Sequence, residues 1–258
     1  MAEYFYVEND KDIIIVDDAY QNYQLVDKRT IDGSSMQRYT AGRGGNENQD
    51  SLGFQLVQYT FTLSNVKNPT VAYRASGSGD TYVYTVNYAE ISSDTWEMRV
   101  ICRRGSGPTG ANGTLTLYTY GMLTSSYTPS TGAVLHILDG NGRMILDNGK
   151  SPMRVVQHES FYGNWSIDNP NTPIKFPIKN YSASKTYAIV PCSLWYQWSA
   201  VNDIIYNVSY SRILDSNKGE VYTNFEKCGQ IQVGEAEDTF PSWNLEIHSF
   251  LLIDVTAL

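Results

Sequence analysis

At 258 residues the chain is long enough for one large domain or for two of about 130 residues each. A formal net charge of −8, with only 18% charged residues, excludes a strongly basic nucleic-acid binder, which needs clustered Lys and Arg along a phosphate backbone. The 20 Tyr, set against 8 Phe, together with abundant Thr, Val and Ile, point to β structure, because branched and aromatic side chains fit a half-buried pleated surface.

Taken in order, Tyr4–Val7 and Ile13–Val16 flank the polar turn Asn9-Asp10-Lys11-Asp12 and predict a β-hairpin. A short strand, Tyr23–Val26, follows, and then the glycine-rich stretch Thr40–Asp50. That stretch has no Lys-Ser/Thr and opens no helix, so it reads as a surface loop carrying Arg43 and Asn46 rather than a phosphate cradle. Further strands are predicted at Gln55–Leu63, Thr70–Arg74, Tyr82–Ile91, Trp96–Arg103 and Thr114–Tyr120. The run from Thr124 to Gly132 has linker composition, placing domains at 1–124 and 132–258 with a linker at 125–131. A second hairpin is predicted over Val134–Leu138 and Arg143–Leu146 around Asp139-Gly140-Asn141-Gly142, whose glycines supply the backbone freedom a tight turn demands. Strands at Met153–Val156, Ile174–Ile178, Thr186–Val190, Leu194–Ser199, Ile204–Leu214, Glu220–Lys227 and Asn244–Ile253 complete the chain. No window sustains a 3.6-residue period, so helices are expected to be short or absent.

The two halves echo each other. Phe5–Gly33 lies over Leu135–Gly163 without a gap, with Ile15/Ile145, Asp17/Asp147, Val26/Val156 and Gly33/Gly163 identical. Tyr84–Ile91 matches Tyr206–Ile213 at four of eight positions, and Leu115–Tyr120 lies over Leu245–Phe250. The expected fold is therefore all-β: two tandem antiparallel β-sandwich domains related by internal duplication.

Reactive constellations are sparse. Cys102, Cys192 and Cys228 are odd in number and widely spaced, so they predict neither a disulfide framework nor a zinc site. Of the three histidines, His136 and His248 read as ordinary strand positions, and His158 is the one beside a carboxylate, Glu159. No Gly-x-Ser-x-Gly elbow occurs. Glu90, Glu235 and Glu237 are the carboxylates a glycan-cleaving enzyme would draw on. Asp17 and Asp147 share a repeat position and read as turn-capping side chains. Asp10, Asp12, Asp139 and Asn141 space oxygen ligands as calcium loops do, but without the bidentate Glu. Catalytic, cofactor and metal residues are thus predicted to be none.

Aromatic residues are more suggestive. In Leu194–Trp198, Trp195 and Gln197 fall on one strand face and Leu194, Tyr196 and Trp198 on the other. Flat rings there suit a core, a subunit interface or a sugar platform. Trp165, Trp195, Tyr196, Trp198, Arg43 and Asn46 are the candidate contact residues. The N-terminus has neither a basic segment nor a long apolar run, and no apolar stretch reaches the ~20 residues of a membrane helix. No signal peptide and no membrane insertion are expected.

Gly132–Val156 resembles the opening of small minor tail proteins of tailed bacteriophages, which begin with a strand, an Asx-x-x-Gly turn, a second strand ending in Asp, and an Arg-Val-Val segment. The matching positions are Ile137, Asp139, Gly142, Ile145, Asp147, Arg154, Val155 and Val156; the first copy departs, with Asp12 at the turn glycine and Gln24 at the arginine. The resemblance implies a non-enzymatic virion component without cofactor, made in the host cytoplasm. Its expected partners are other virion proteins, further copies of itself and a host cell-surface glycan or receptor. A capsid decoration or head–tail connector protein and a carbohydrate-binding module are the alternatives.

Overall fold

A computed structural model describes residues 6–8, 14–17, 23–38, 55–76, 82–104, 113–132, 135–162, 174–193, 196–200, 203–214, 217–232, 243–245, 247–256 and 258. In the first half the strands are β1 (Tyr6–Glu8), β2 (Ile14–Asp17), β3 (Gln24–Asp32), β4 (Gln37–Arg38), β5 (Gln55–Ser64), β6 (Val66–Ser76), β7 (Tyr82–Ser92), β8 (Thr95–Arg104) and β9 (Thr114–Leu123). In the second half they are β10 (His136–Leu138), β11 (Met144–Asp147), β12 (Arg154–Tyr162), β13 (Ile174–Pro177), β14 (Tyr187–Ser193), β15 (Tyr196–Ala200), β16 (Asp203–Leu214), β17 (Asn217–Gln232), β18 (Trp243–Leu245) and β19 (Ile247–Asp254). Among the described residues every strand pairing is antiparallel and the one helical element is a 3₁₀ turn, Gly33–Ser35. No helix among the described residues is long and apolar enough to cross a membrane.

The centre is a six-stranded sheet of order β12-β19-β14-β6-β9-β3. Read from either edge, the order is the same: β3-β9-β6 in one half answers β12-β19-β14 in the other. The register repeats as well. Gln24 to Asp32 pair with Gly121 to Thr114, and Arg154 to Tyr162 pair with Asp254 to Ile247, each with one extra residue between the second and fourth positions of the strand. The first strands are offset by 154 − 24 = 130 residues and their partners by 247 − 114 = 133. Leu115–Tyr120 therefore does not correspond to Leu245–Phe250, as the sequence match has it; a three-residue slip would put the opposite set of side chains on each face.

Both faces of this sheet are apolar, which is why β9, β14 and β19 read as nearly continuous hydrophobic runs. Val71, Tyr73, Leu115, Leu117, Tyr187, Ile189, Phe250 and Leu252 point to the larger cluster. That face is covered by a four-stranded sheet from the first half, order β4-β5-β8-β7, and a five-stranded sheet from the second, order β13-β17-β16-β15-β18. Val57, Phe61, Met98 and Val100 enter from one, Val221 and Phe176 from the other. The alternate residues Ala72, Tyr118, Tyr120, Ala188, Val190 and Ile253 form a second cluster on the opposite face. There the sheet curls until its two edge strands meet at their starts: Gln24 bridges Pro152, with Leu25 N–H donating to Ser151 O and Met153 N–H to Tyr23 O, both at 2.8 Å.

The all-β antiparallel class is as expected, but the halves are joined more closely than two tandem units require. β14 pairs with β6 through Ile189 and Tyr73, and the larger cluster draws on both halves. The segment at 125–131 connects parts of one continuous core rather than separating two.

Candidate functional site

Two polar constellations and one exposed edge stand out. The first joins the halves. Gln24 has no exposed surface, and its side-chain amide closes on the main chain of Asp147: Nε2 donates to Asp147 O at 2.8 Å and Oε1 accepts from Asp147 N–H at 3.1 Å. The Asp147 carboxylate, fully buried at the end of β11, accepts from Ser130 N–H and Gly149 N–H (2.8 Å each) and from Tyr127 Oη (3.2 Å). Burial opposes its charged form, but the Ser130 and Gly149 donors outweigh it and hold the carboxyl below its ordinary value. His136, its cross-strand neighbour, brings Nε2 to 3.7 Å from Oδ1. Gly149 is required here, since a Cβ would stand 2.7 Å from that of Ser130. The capping role read for Asp147 is thus what the geometry gives it, and Tyr127 and Ser130 of the connecting segment are part of the lock.

The second constellation is buried between the sheets. Ser211 Oγ lies 2.8 Å from His248 Nε2 and 2.8 Å from Thr223 Oγ1, and Tyr73 Oη donates to Ser211 O. His248 is packed by Phe161 and Phe250, with ring centroids at 5.4 and 6.2 Å. Burial lowers its pKa to about 4, so the imidazole is neutral at pH 7. Sequence reading missed this: His248 is no ordinary half-exposed strand residue but the centre of a polar core. Nothing local signals it, because Ser211, Thr223 and His248 meet only through the stacking of β16, β17 and β19. A Ser–His pair can serve nucleophilic chemistry when a substrate reaches it. Here Ser211 is only 3% exposed, and the shallow depression beside it is lined by Tyr73, Arg74, Ala75, Ile189, Arg212 and Ile213, not by the hydroxyl.

Other sequence candidates disperse. His158 is exposed, while Glu159 takes Gln157 Nε2 at 2.8 Å and Lys179 Nζ at 3.6 Å. Asp139 spends its oxygens on its own turn, accepting from Asn141 N–H and Arg143 N–H and facing Arg143 Nε at 3.0 Å. Among the described residues no three of His, Cys, Asp and Glu converge as metal ligands would. Glu90 is exposed on β7, and Cys102 is buried, which pushes its thiol pKa up. Tyr196 and Trp198 lie in β15, paired with Leu245 and Trp243 of β18. Arg43, Asn46, Trp165, Trp195, Asp10, Asp12, Glu235 and Glu237 lie outside the described residues.

The exposed edge is β12. Its counterpart β3 carries Asp27, Lys28, Arg29 and Asp32, charges that blunt a sheet edge, with Arg29 over the Phe61 ring at 4.3 Å. β12 carries Arg154, His158 and Glu159, but also displays apolar side chains: Val155 is 51% and Tyr162 67% exposed, and Ile247, opposite Tyr162, is 42% exposed. Compared with known protein families, curated proteins and solved structures, the chain matches none.

Proposed function

We propose that this chain is a non-enzymatic structural component of a phage virion, a minor tail or tail-tip protein that assembles with copies of itself and with other virion proteins. The observation that carries the reading is the contrast between interior and edge. Among the described residues the Ser211–His248 pair is buried and hydrogen-bonded within the core with Thr223, while apolar side chains are displayed at Val155, Tyr162 and Ile247. A layered β body that displays apolar side chains at a sheet edge suits docking. The resemblance of Gly132–Val156 to phage tail proteins supplies the address, and the residues that carry it are structural: Asp139 and Gly142 close the hairpin turn, and Asp147 locks its far end. Host contact would fall to the loops and aromatic residues around Arg43, Trp165 and Trp198.

The test is to purify particles from cells producing the chain beside its native gene neighbours and locate it by cryo-electron microscopy. The reading expects it in a symmetric ring or cluster at the tail. Recovery of the chain wholly outside particles would overturn it, and placement on the capsid would favour the decoration alternative.

A further inference from the structure

The β10–β11 hairpin carries the step Asn-Gly twice, at Asn141-Gly142 in its turn and at Asn148-Gly149 just after Asp147. This dipeptide reacts with itself, which makes such asparagines labile. Hydroxide takes the glycine amide proton, and the nitrogen attacks the side-chain carbonyl carbon of the asparagine. A C–N bond forms to the glycine nitrogen, the C–N bond of the side-chain amide breaks, and the departing nitrogen takes a proton back from water and leaves as ammonia. The succinimide then takes up water to give aspartate or isoaspartate. Glycine permits the close approach because it has no side chain to hold the two groups apart.

The two steps differ in what holds the reacting atoms. Gly149 N–H donates to Asp147 Oδ1 at 2.8 Å, and Asp147 is wholly buried. Removing that proton would set an amide anion against a buried carboxylate, which like-charge repulsion opposes. The Asn148 side chain is tied as well: its Oδ1 accepts from Leu135 N–H at 3.0 Å. Gly142 N–H instead donates to a neutral carbonyl, Asp139 O, at 2.9 Å. The charge of the nearby Asp139 carboxylate is offset by Arg143, whose Nε lies 3.0 Å from Oδ2. Asn141 and Gly142 are both exposed. Asn141 is held through its main chain, N–H to Asp139 Oδ1 at 2.9 Å, and among the described residues no hydrogen bond holds its side chain.

We infer that Asn141 is a site of spontaneous deamidation in the folded chain, and that Asn148, with the same sequence signal, is kept inert by the lock around Asp147. Local opening of an exposed turn is enough to free Gly142, whereas freeing Gly149 means pulling it from a buried carboxylate. The product adds a negative charge beside Asp139 and, in its isoaspartyl form, one extra methylene to the main chain of the turn. The far end of the hairpin stays clamped to Gln24 through the main chain of Asp147. The inference stands apart from the assembly reading and does not depend on it.

The test is to hold the full chain in mildly alkaline buffer, folded and in guanidinium chloride, and to follow both asparagines by peptide mass spectrometry with fragmentation that assigns the converted residue. Enzymatic methylation of isoaspartate marks the second product. In the folded chain Asn141 should convert at least tenfold faster than Asn148, and in guanidinium chloride the two rates should come within about twofold, because there the sequence alone sets them. Asn141 converting no faster than Asn148 in the folded chain would overturn the inference. So would an excess at Asn141 that persists undiminished in guanidinium chloride, since the fold would then not be its cause.

Discussion

Val26 and Val156 are the extra residues of the same β-bulge, one in each half of the chain. Leu25 pairs with Tyr120 and Asp27 with Thr119, leaving Val26 unmatched; Val155 pairs with Ile253 and Gln157 with Leu252, leaving Val156 unmatched. A bulge reverses the alternation of a strand. Leu25 and Ile31 are six positions apart and would share a face in a regular strand. Here Leu25 packs on the second cluster and Ile31 on the first.

Deleting Val26 should therefore be far worse than replacing it. Without the extra residue, either Leu25 or the segment through Ile31 turns its apolar side chains the wrong way. The deletion should abolish the cooperative unfolding transition seen by circular dichroism, whereas Val26→Ala should cost about 1–2 kcal/mol.

Gln24→Ala removes both partners of the Asp147 main chain from a buried position. Each orphaned group costs roughly 1–3 kcal/mol, so the variant should lose about 2–4 kcal/mol in urea denaturation. Asp147 adds a pH dependence. Its pKa is depressed in the folded state, so its stabilisation is complete well above the unfolded carboxyl value of 3.8 and is lost as pH falls through the lower folded value. Asp147→Asn should flatten that acid limb.

His248 contributes through the opposite kind of group. Its pKa falls from 6.5 to about 4 on folding, so below pH 6.5 the unfolded chain binds a proton the folded chain refuses. Stability should be unaffected by this residue above pH 7 and decline as pH drops from 6.5 to 4, by on the order of 3 kcal/mol. His248→Phe should remove that decline while costing about 1 kcal/mol at pH 7, because Ser211 loses a partner. Urea midpoints from pH 4 to 8 for both proteins would check it.

Tyr120 gives a prediction of opposite sign. Its ring is wholly buried in the second cluster, and its hydroxyl has no hydrogen-bond partner there. Tyr120→Phe should leave stability unchanged or raise it by about 1 kcal/mol, where truncating a satisfied buried hydroxyl would lower it.

Much of the fold was legible because strand periodicity is local. The predicted Gln55–Leu63 and Tyr82–Ile91 each fall within a residue of β5 and β7. The hairpin around Asp139 and Gly142 was legible from turn chemistry, since Gly142 does adopt a positive φ of 76°. β3 was read as ending at Val26 because Asp27, Lys28, Arg29 and Asp32 lack strand character; they are the charges of a protected edge, which a local pattern cannot tell from a loop. The joining of the halves was not legible at all. Gln24 and Asp147 are 123 residues apart, and Tyr73 and Ile189 meet across a seam of buried apolar residues that would look the same in two separate cores. His248 escaped notice for the same reason.

The account stands on the two halves forming one body across the β6–β14 seam. Native-state hydrogen exchange at Val71–Tyr73 and Ala188–Val190 tests this most directly. Amides hydrogen-bonded in that stretch should exchange only through global unfolding, with one shared free energy that tracks the urea transition. Exchange at the seam well before either half unfolds, together with two separate transitions, would contradict it.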